Sequence, residues 1–463
     1  MNRYATSCVA VMAVMALFLS ACATNPTVDT IPAAAPTAPV DVSPQAQAPA
    51  STDPCELWEP ASRDWFELTA TQEAEGETAI VASYLLPPSD APRYNTVLEL
   101  CPGVWWAVTY AGESRFIDVD ADVWSVGPSL ASSGTVDTVS AAGVQSGGPT
   151  WGFRDSTLAV HTVYLSDGVL DTAEECVRVD VHTLALGDLL ASRADEPLST
   201  EVAYQSSPCV SYTAAWRSGS PLRTHLGSAL TFAPKLGSVF LTIGDFHLGA
   251  SSLGQAVAIG IANTEKDYAL LSAESAALGA LVEIPTNGDS PEIVAKGLRN
   301  SLGITADGNG SLWISDHGPA GGDELNRYAP GANYGWPYTT EGEPYDRSSW
   351  PANPDELPAP WLDIGDAVIA GATYPTLSWT PAIAPTAVVD ISRDASSLVE
   401  LAIGGLRAEV ILTLSIDGTL VRETGRLDVG ARVRDMARSA DAARLLAITD
   451  SATLFVINPA KLR

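Results

Sequence analysis

"ALTFAPKLGSVFLTIGD" runs from Ala229 to Asp245, "LGITADGNGSLWISD" from Leu302 to Asp316, and "DMARSADAARLLAITD" from Asp435 to Asp450. Each is an apolar stretch, a polar turn and a stronger apolar run that closes on an aspartate. Short apolar runs bounded by Gly, Asn and Asp read as paired strands. Asp316 follows Asp245 by 71 residues and Asp450 follows Asp316 by 134, one period and then two. A weaker copy, "VVDISRDASSLVELAIGG" from Val388, falls between the last two, and "DSTLAVHTVYLSDG" from Asp155 lies one period before the first. Recurrent multi-strand units predict an all-β chain folded as a β-propeller, with a long β-sandwich array as the competing arrangement.

Outward from the repeats, 463 residues with 46% hydrophobic and 17% charged side chains suit one large all-β domain or two smaller ones. The 55 acids against 25 Lys and Arg give a formal charge of -30. Such a surface repels nucleic acid and anionic lipid headgroups, so neither is expected as a partner.

The N-terminus argues for export. Arg3 precedes an apolar run, Val9 to Phe18, of signal-core length and too short to span a bilayer. It ends in Leu19-Ser20-Ala21-Cys22, which resembles the bacterial lipobox. That resemblance implies cleavage after residue 21 and a lipid anchor at Cys22 as the chain's contact with a membrane. Ala23, in place of an aspartate, implies sorting to the outer membrane, facing periplasm or cell surface. Ordinary cleavage beside an accidental cysteine is the alternative. Residues 23–54, rich in Ala, Pro, Thr and Val, read as a disordered tether, and 55–463 as the folded domain. Within it, Trp105, Trp106 and Trp124 lie in strand-like runs of a region, 55–160, that could not be divided into blades.

Cys55, Cys101, Cys176 and Cys209 form an even set in an exported chain, which argues for two disulfides. Sequence does not fix the pairing; proximity favours Cys55 with Cys101 and Cys176 with Cys209. CxxC, GxSxG, HExxH, Walker and dinucleotide fingerprints are absent.

"GLRN" (297–300), "SDHGPAGGDELN" (315–326), "PGANYGWP" (330–337) and "RVRD" (432–435) followed by "AITD" (447–450) occur in this order. Together they resemble the soluble sugar dehydrogenases dependent on pyrroloquinoline quinone, the glucose/sorbosone or aldose sugar dehydrogenases, over roughly residues 209–457. The resemblance implies a six-bladed propeller with long loops on the cofactor face. It also implies oxidation of aldose sugars at C1 to lactones, with the quinone and Ca²⁺ as cofactors and an electron acceptor the sequence does not name. Three carboxylates and an ortho-quinone need cations and a hard metal with oxygen ligands. Arg299, Asn300, Arg407, Arg432, Arg434 and Asp450 fall on the family's cofactor-contacting positions, with Arg299 also placed to stabilise charge on the quinone oxygen. Carbonyls at Gly318 and Pro319 match the ligands of the catalytic Ca²⁺, and Asp323 and Glu324, helped by carbonyls near His317 and Tyr334, match a second, structural site. Adjacent acids on a loop are ordinarily just solvated, and the aromatics of "NYGWP" read as core.

Of the five histidines, His225 opens "HLGSALTF", which resembles the family's catalytic blade opening. A loop imidazole titrating near neutrality can take a proton from a sugar hydroxyl. His161 and His182 lie inside apolar, strand-like runs and read as packed or edge residues, and His247, which follows a strand end, matches no role. Two departures stand out: Thr224 occupies the place of an aspartate expected to orient His225, and a site-lining glutamine from the N-terminal blades has no counterpart. A calcium-dependent propeller lactonase and a cofactor-free surface-binding propeller are the rival readings. Neither accounts for four arginines in register with the motif loops.

Overall fold

The computed structural model describes residues 53–462 apart from 132–151, 212–224, 249–269, 343–371 and short interruptions at 59, 61–62, 74–77, 88, 90–92, 172, 195–196, 247, 272, 320, 337–339 and 395–397. The leader, Cys22 and nearly all of the tether lie outside these residues.

Six antiparallel sheets of four or five strands build a β-propeller. Their innermost strands are Tyr94–Cys101, Gly152–Ala159, Gly227–Ala233, Ser301–Ala306, Pro385–Asp390 and Val433–Arg438, in blades one to six. Each inner strand touches the inner strands of both neighbours, so the six close a ring around an axial channel. The repeats read from sequence are the two inner strands of blades two to six. The sixth blade is completed by Thr69–Glu73 and Ile80–Leu85, which pair outside Thr453–Ile457. This N-terminal segment fastens the ring across chain ends. Blade one begins at Tyr94 and takes Phe66–Glu67 as its outermost strand.

Six apolar clusters fill the six gaps between blades. Successive residues of a strand point to opposite faces, and Trp105 and Trp106 show the consequence. Trp105 packs with Leu446, Ile448 and Leu454 of blade six, whereas Trp106 packs with Val163 and Leu165 of blade two. Both are fully buried. Truncating either to Ala would cost roughly 3–5 kcal/mol.

Polar groups close the same ring nearer the axis. Asn95 Nδ2 donates to Phe153 O (2.7 Å), Ser166 Oγ to Ser228 O (2.6 Å), Thr242 Oγ1 to Ser301 O (2.8 Å) and Ser315 Oγ to Thr386 O (2.7 Å). Thr386 Oγ1 donates to Val433 O (3.0 Å), and Asp435 Oδ2 accepts from the Val97 amide (2.8 Å), completing the circuit. Every interface between blades therefore satisfies a buried backbone group with a neighbour's side chain.

The disulfides are Cys55–Cys101 and Cys176–Cys209, with Cα separations of 5.6 and 5.5 Å. His182 is buried, but His161 lies in the turn after Gly152–Ala159, exposed and 3.9 Å from Asp53, not inside a strand. His247 lies outside the described residues.

Candidate active site

One irregularity recurs at the start of all six inner strands. The register slips by one residue at Tyr94/Thr96, Phe153/Asp155, Gly227/Leu230, Ser301/Gly303, Pro385/Val388 and Val433/Asp435. A bulge re-aims the extra side chain out of the ladder. Here Asn95, Arg154, Ser228, Leu302, Thr386 and Arg434, one from each blade, line the same axial cavity.

The residues just before these strands carry the chemistry. His225 adopts a left-handed backbone conformation (φ 59°), and its Nδ1 lies 3.0 Å from Oδ1 of the fully buried Asp245. Oδ2 of Asp245 accepts from Trp336 Nε1 at 2.9 Å. The carboxylate expected beside His225 in sequence is thus supplied from the end of the next strand. Thr224, where it was sought, lies outside the described residues. Burial foremost, then the nearby Arg299 and His317, holds the His225 pKa well below the usual imidazole range.

Arg299 and Asn300 open the fourth blade. Asp316 accepts from both their amides, at 2.8 and 2.7 Å, and from Ser301 Oγ at 3.0 Å. Burial pushes Asp316 up to about 6 despite these bonds. Arg299 Nη1 donates to the carbonyls of His317 (3.0 Å) and Gly318 (2.9 Å), and its guanidinium lies 5.3 Å from the Trp336 ring. Asn300 Oδ1 accepts from the Gly227 amide at 3.3 Å, joining this blade to the one bearing His225.

The sixth blade brings Arg432, Arg434 and Asp450 together. Arg434 grips Asp450 with Nε and Nη2, Arg432 Nε lies 3.0 Å from Oδ2, and Arg93 Nη1 lies 3.8 Å from Oδ1. Burial alone would raise Asp450, but Arg434, Arg93 and Arg432 together hold it below the usual carboxylate range. Arg407 is exposed, in the turn after Leu398–Gly405, its amide donating to Ile383 O at 3.0 Å. The structure therefore groups Arg432, Arg434 and Asp450, whereas Arg407 lies beside Ile383, whose own amide donates to Asp323 of the glycine-rich loop.

The glycine-rich loop folds on itself. A Cβ at Gly318 would stand 2.3 Å from the carbonyl oxygens of both Gly321 and Gly322, so only glycine fits where these oxygens crowd together. Pro319 is buried beside them. Asp323 accepts from the Gly318 amide (3.0 Å) through Oδ1 and from the Ile383 and Ala384 amides (2.8 and 2.7 Å) through Oδ2. It braces the loop against the fifth blade. Glu324 turns the other way and lines a second cavity with Tyr334, Thr340 and Glu341. Burial, with Asp316 nearby, pushes Glu324 up to about 8. Among the described residues no three His, Cys, Asp or Glu side chains converge as a metal cluster. Tyr334 and Trp336 are core residues, as read from sequence.

The sequence profile of the Glucose / Sorbosone dehydrogenase family matches residues 208–456, just over half of the chain. The chain belongs to the glucose/sorbosone dehydrogenase family. The aldose sugar dehydrogenase YliI of Escherichia coli K12 is 32% identical over 183 residues, covering 38% of this chain and 46% of that protein. An uncharacterized Synechocystis protein is 30% identical over 237 residues, covering 47% of this chain and 52% of the relative. The matches span about half the length of these curated relatives. A solved glucose dehydrogenase superposes with TM-score 0.58 at 20% identity, over 81% of this chain and 98% of that one. The apo form of the soluble aldose sugar dehydrogenase from E. coli gives 0.57 at 20%, over 85% and 98%. These superpositions show a common fold, the six-bladed propeller.

Two channel-facing arginines escaped the sequence reading. Arg93 and Arg154 come from the blades where the motifs were patchy. Phe153-Arg154-Asp155 repeats Val433-Arg434-Asp435 at the same bulge, and that internal match is the signal that would have found Arg154.

Proposed function

We propose that the protein is a sugar dehydrogenase that oxidises aldoses at C1 to lactones with pyrroloquinoline quinone and Ca²⁺. The observation that supports it most is the His225–Asp245 pair beside Arg299 and Asn300, just before the strands whose bulged residues line the cavity that Arg434 enters. A tricarboxylate fits a site where Arg299, Arg432 and Arg434 come from two blades around one axis, and in this reading Arg407 adds a fourth cation. A hard cation suits backbone carbonyls such as those of Gly318 and Pro319, and Gly318 O, which accepts from Arg299 Nη1 at 2.9 Å, would be shared between Arg299 and that cation. When bound, the quinone would supply the two-electron acceptor and Ca²⁺ the Lewis acid.

The protein's own part is proton transfer and positioning. Asp245 holds the His225 tautomer with the proton on Nδ1, so Nε2 presents the lone pair that accepts the proton from the anomeric hydroxyl. Burial, then the charges of Arg299 and His317, lower its pKa and so favour the neutral form in which it can act as the base. Arg299, fixed by two carbonyls and an indole face, is positioned to hold the quinone and would offer it positive charge. In this reading Glu324, with Tyr334, holds a second Ca²⁺, while Asp323 braces the loop between the two metals. In this reading the leader and lipobox direct the chain to a bacterial envelope, with residues 23–54 as a tether to a lipid at Cys22.

The test is reconstitution: purified apoprotein receives quinone and Ca²⁺, and dye reduction is followed across a panel of aldoses. Reduction dependent on all three components is the expected result. None with any sugar, despite saturating quinone, would sink the reading.

A further inference from the structure

The axial cavity holds more positive charge than the motif residues account for. Arg434 enters it from blade six, Arg154 from blade two, and Arg93 stands at the head of blade one. Arg93 is buried, its Nε donating to Asn95 Oδ1 at 2.9 Å. The nearby acids also brace the ring. Asp155 accepts from the Leu230 and Ser156 amides (2.7 and 2.8 Å), and Asp435 from those of Val97 and Met436 (2.8 Å each). Asp450 is shared among Arg434, Arg432 and Arg93.

The cations press on one another. Burial first and the charges of Arg434 and Arg154 next lower Arg93 to about 9; burial and Arg434 lower Arg154 to about 10. Burial also favours the protonated forms of Asp155 and Asp435. A partly dehydrated cluster of guanidinium groups on a rigid ring of bulges is the arrangement that recognises a carboxylate.

We infer that Arg93 and Arg154, from the two blades that carry none of the family motifs, hold a carboxylate of the bound quinone together with Arg434. This rests on the quinone reading above. It gives the N-terminal blades a part in cofactor recognition, and it makes Arg434 the residue shared by the motif-borne cluster and the channel.

The experiment titrates pyrroloquinoline quinone into apoprotein with saturating Ca²⁺ and measures Kd by equilibrium dialysis, independent of any sugar. Arg93→Gln, Arg154→Gln and Arg154→Lys are compared with wild type and with Arg434→Gln, after circular dichroism confirms folding. Loss of one charged hydrogen-bonding partner should raise Kd roughly 10- to 100-fold, with Arg154→Lys intermediate. The salt dependence of log Kd should also become shallower in both Gln variants. If Arg93→Gln and Arg154→Gln bind within twofold of wild type while Arg434→Gln is weakened, the inference is wrong and the quinone reading stands. If wild type shows no Ca²⁺-dependent quinone binding, both fall. Should Arg154→Gln fail to fold, Arg93→Gln and Arg154→Lys decide the matter by the same threshold.

Discussion

Nδ1 of His225 and Oδ1 of Asp245 stand 3.0 Å apart although twenty positions separate them in sequence, because antiparallel pairing returns the end of one strand to the start of the other. Asp316 and Asp450 occupy the matching place in blades four and six. Asp316 clamps the amides of Arg299 and Asn300, and Asp450 the guanidiniums of Arg432 and Arg434. The repeat's closing aspartate is thus one structural device put to three uses.

This relationship makes the first prediction. His225→Gln keeps a polar side chain of similar reach but removes the proton acceptor, so turnover should fall roughly 10²- to 10⁴-fold with quinone Kd little changed. Asp245→Asn should reproduce much of the loss by releasing the tautomer. Because burial keeps His225 neutral, kcat/KM in wild type should show no acid limb near pH 6.5. A limb at that pH that His225→Gln leaves in place would assign the base to another group.

A second prediction concerns Asp435. Burial raises its folded pKa to about 7, against about 3.9 in an unfolded chain. A raised folded pKa means stability fully present below the unfolded value and lost as pH rises through the folded one. His317, lowered to about 4 chiefly by burial, works the other way and loses stability as pH falls from about 6.5. The informative quantity is therefore the difference between variant and wild type. Relative to wild type, Asp435→Asn should gain in Tm as pH rises from 4 to 7. A constant difference over that range would show that Asp435 does not titrate there.

The extent to which the sequence disclosed this arrangement follows from what is local. Blades three, four and six announce themselves through a strand, a polar turn and a strand ending in aspartate. Blade one reads instead as "VLELCPGVWWAVTY", with no closing aspartate and a Cys-Pro-Gly turn, so its boundaries stayed hidden. The strands 69–73 and 80–85 belong to a sheet whose other members lie beyond residue 432, a pairing no local pattern encodes. Arg299, Arg432 and Arg434 were legible because they sit inside contiguous motifs. The partner of His225 was sought next to it, at Thr224, when sheet geometry makes the end of the following strand its true neighbour.

The disulfides supply a third prediction. Cys55–Cys101 spans 46 positions and Cys176–Cys209 spans 33, so loop-closure entropy gives each roughly 4 kcal/mol. Paired Cys→Ser replacement of either should lower the denaturant midpoint accordingly. Cys55–Cys101 also ties the segment preceding the closing strands to blade one, so its loss should expose residues 53–85 to protease first. Uniform protection in both variants would argue that strand pairing alone fastens the ring.

A fourth prediction separates anchoring from the propeller. Cys22→Ser should abolish lipidation and move the protein from the membrane to the soluble envelope fraction, with quinone Kd and Tm unchanged. Weakened quinone binding in a well-folded soluble form would mean that the tether belongs to the domain.

The last prediction concerns the cavity of Glu324, Tyr334 and Glu341. A buried carboxylate whose described bond is from Asn326 Nδ2 to Oε2 (2.9 Å) is costly unless a cation joins it, and Ca²⁺ suits a site of carboxylate and carbonyl oxygens. Ca²⁺ at a hundred times its Kd should stabilise wild type by about 2.7 kcal/mol per site, read as a rise in Tm. Mg²⁺ should do so poorly, because it prefers a smaller octahedral shell and retains its waters. Glu324→Gln should remove the contribution of this cavity while leaving Ca²⁺-dependent quinone binding, which the proposed function assigns to the Gly318–Pro319 loop, within a fewfold of wild type. Gly318→Ala should do the reverse, since its Cβ would meet two carbonyl oxygens. If Glu324→Gln keeps the full Ca²⁺-induced rise in Tm, the second metal is not held by this cavity, and the buried carboxylate must be carried as a protonated core group.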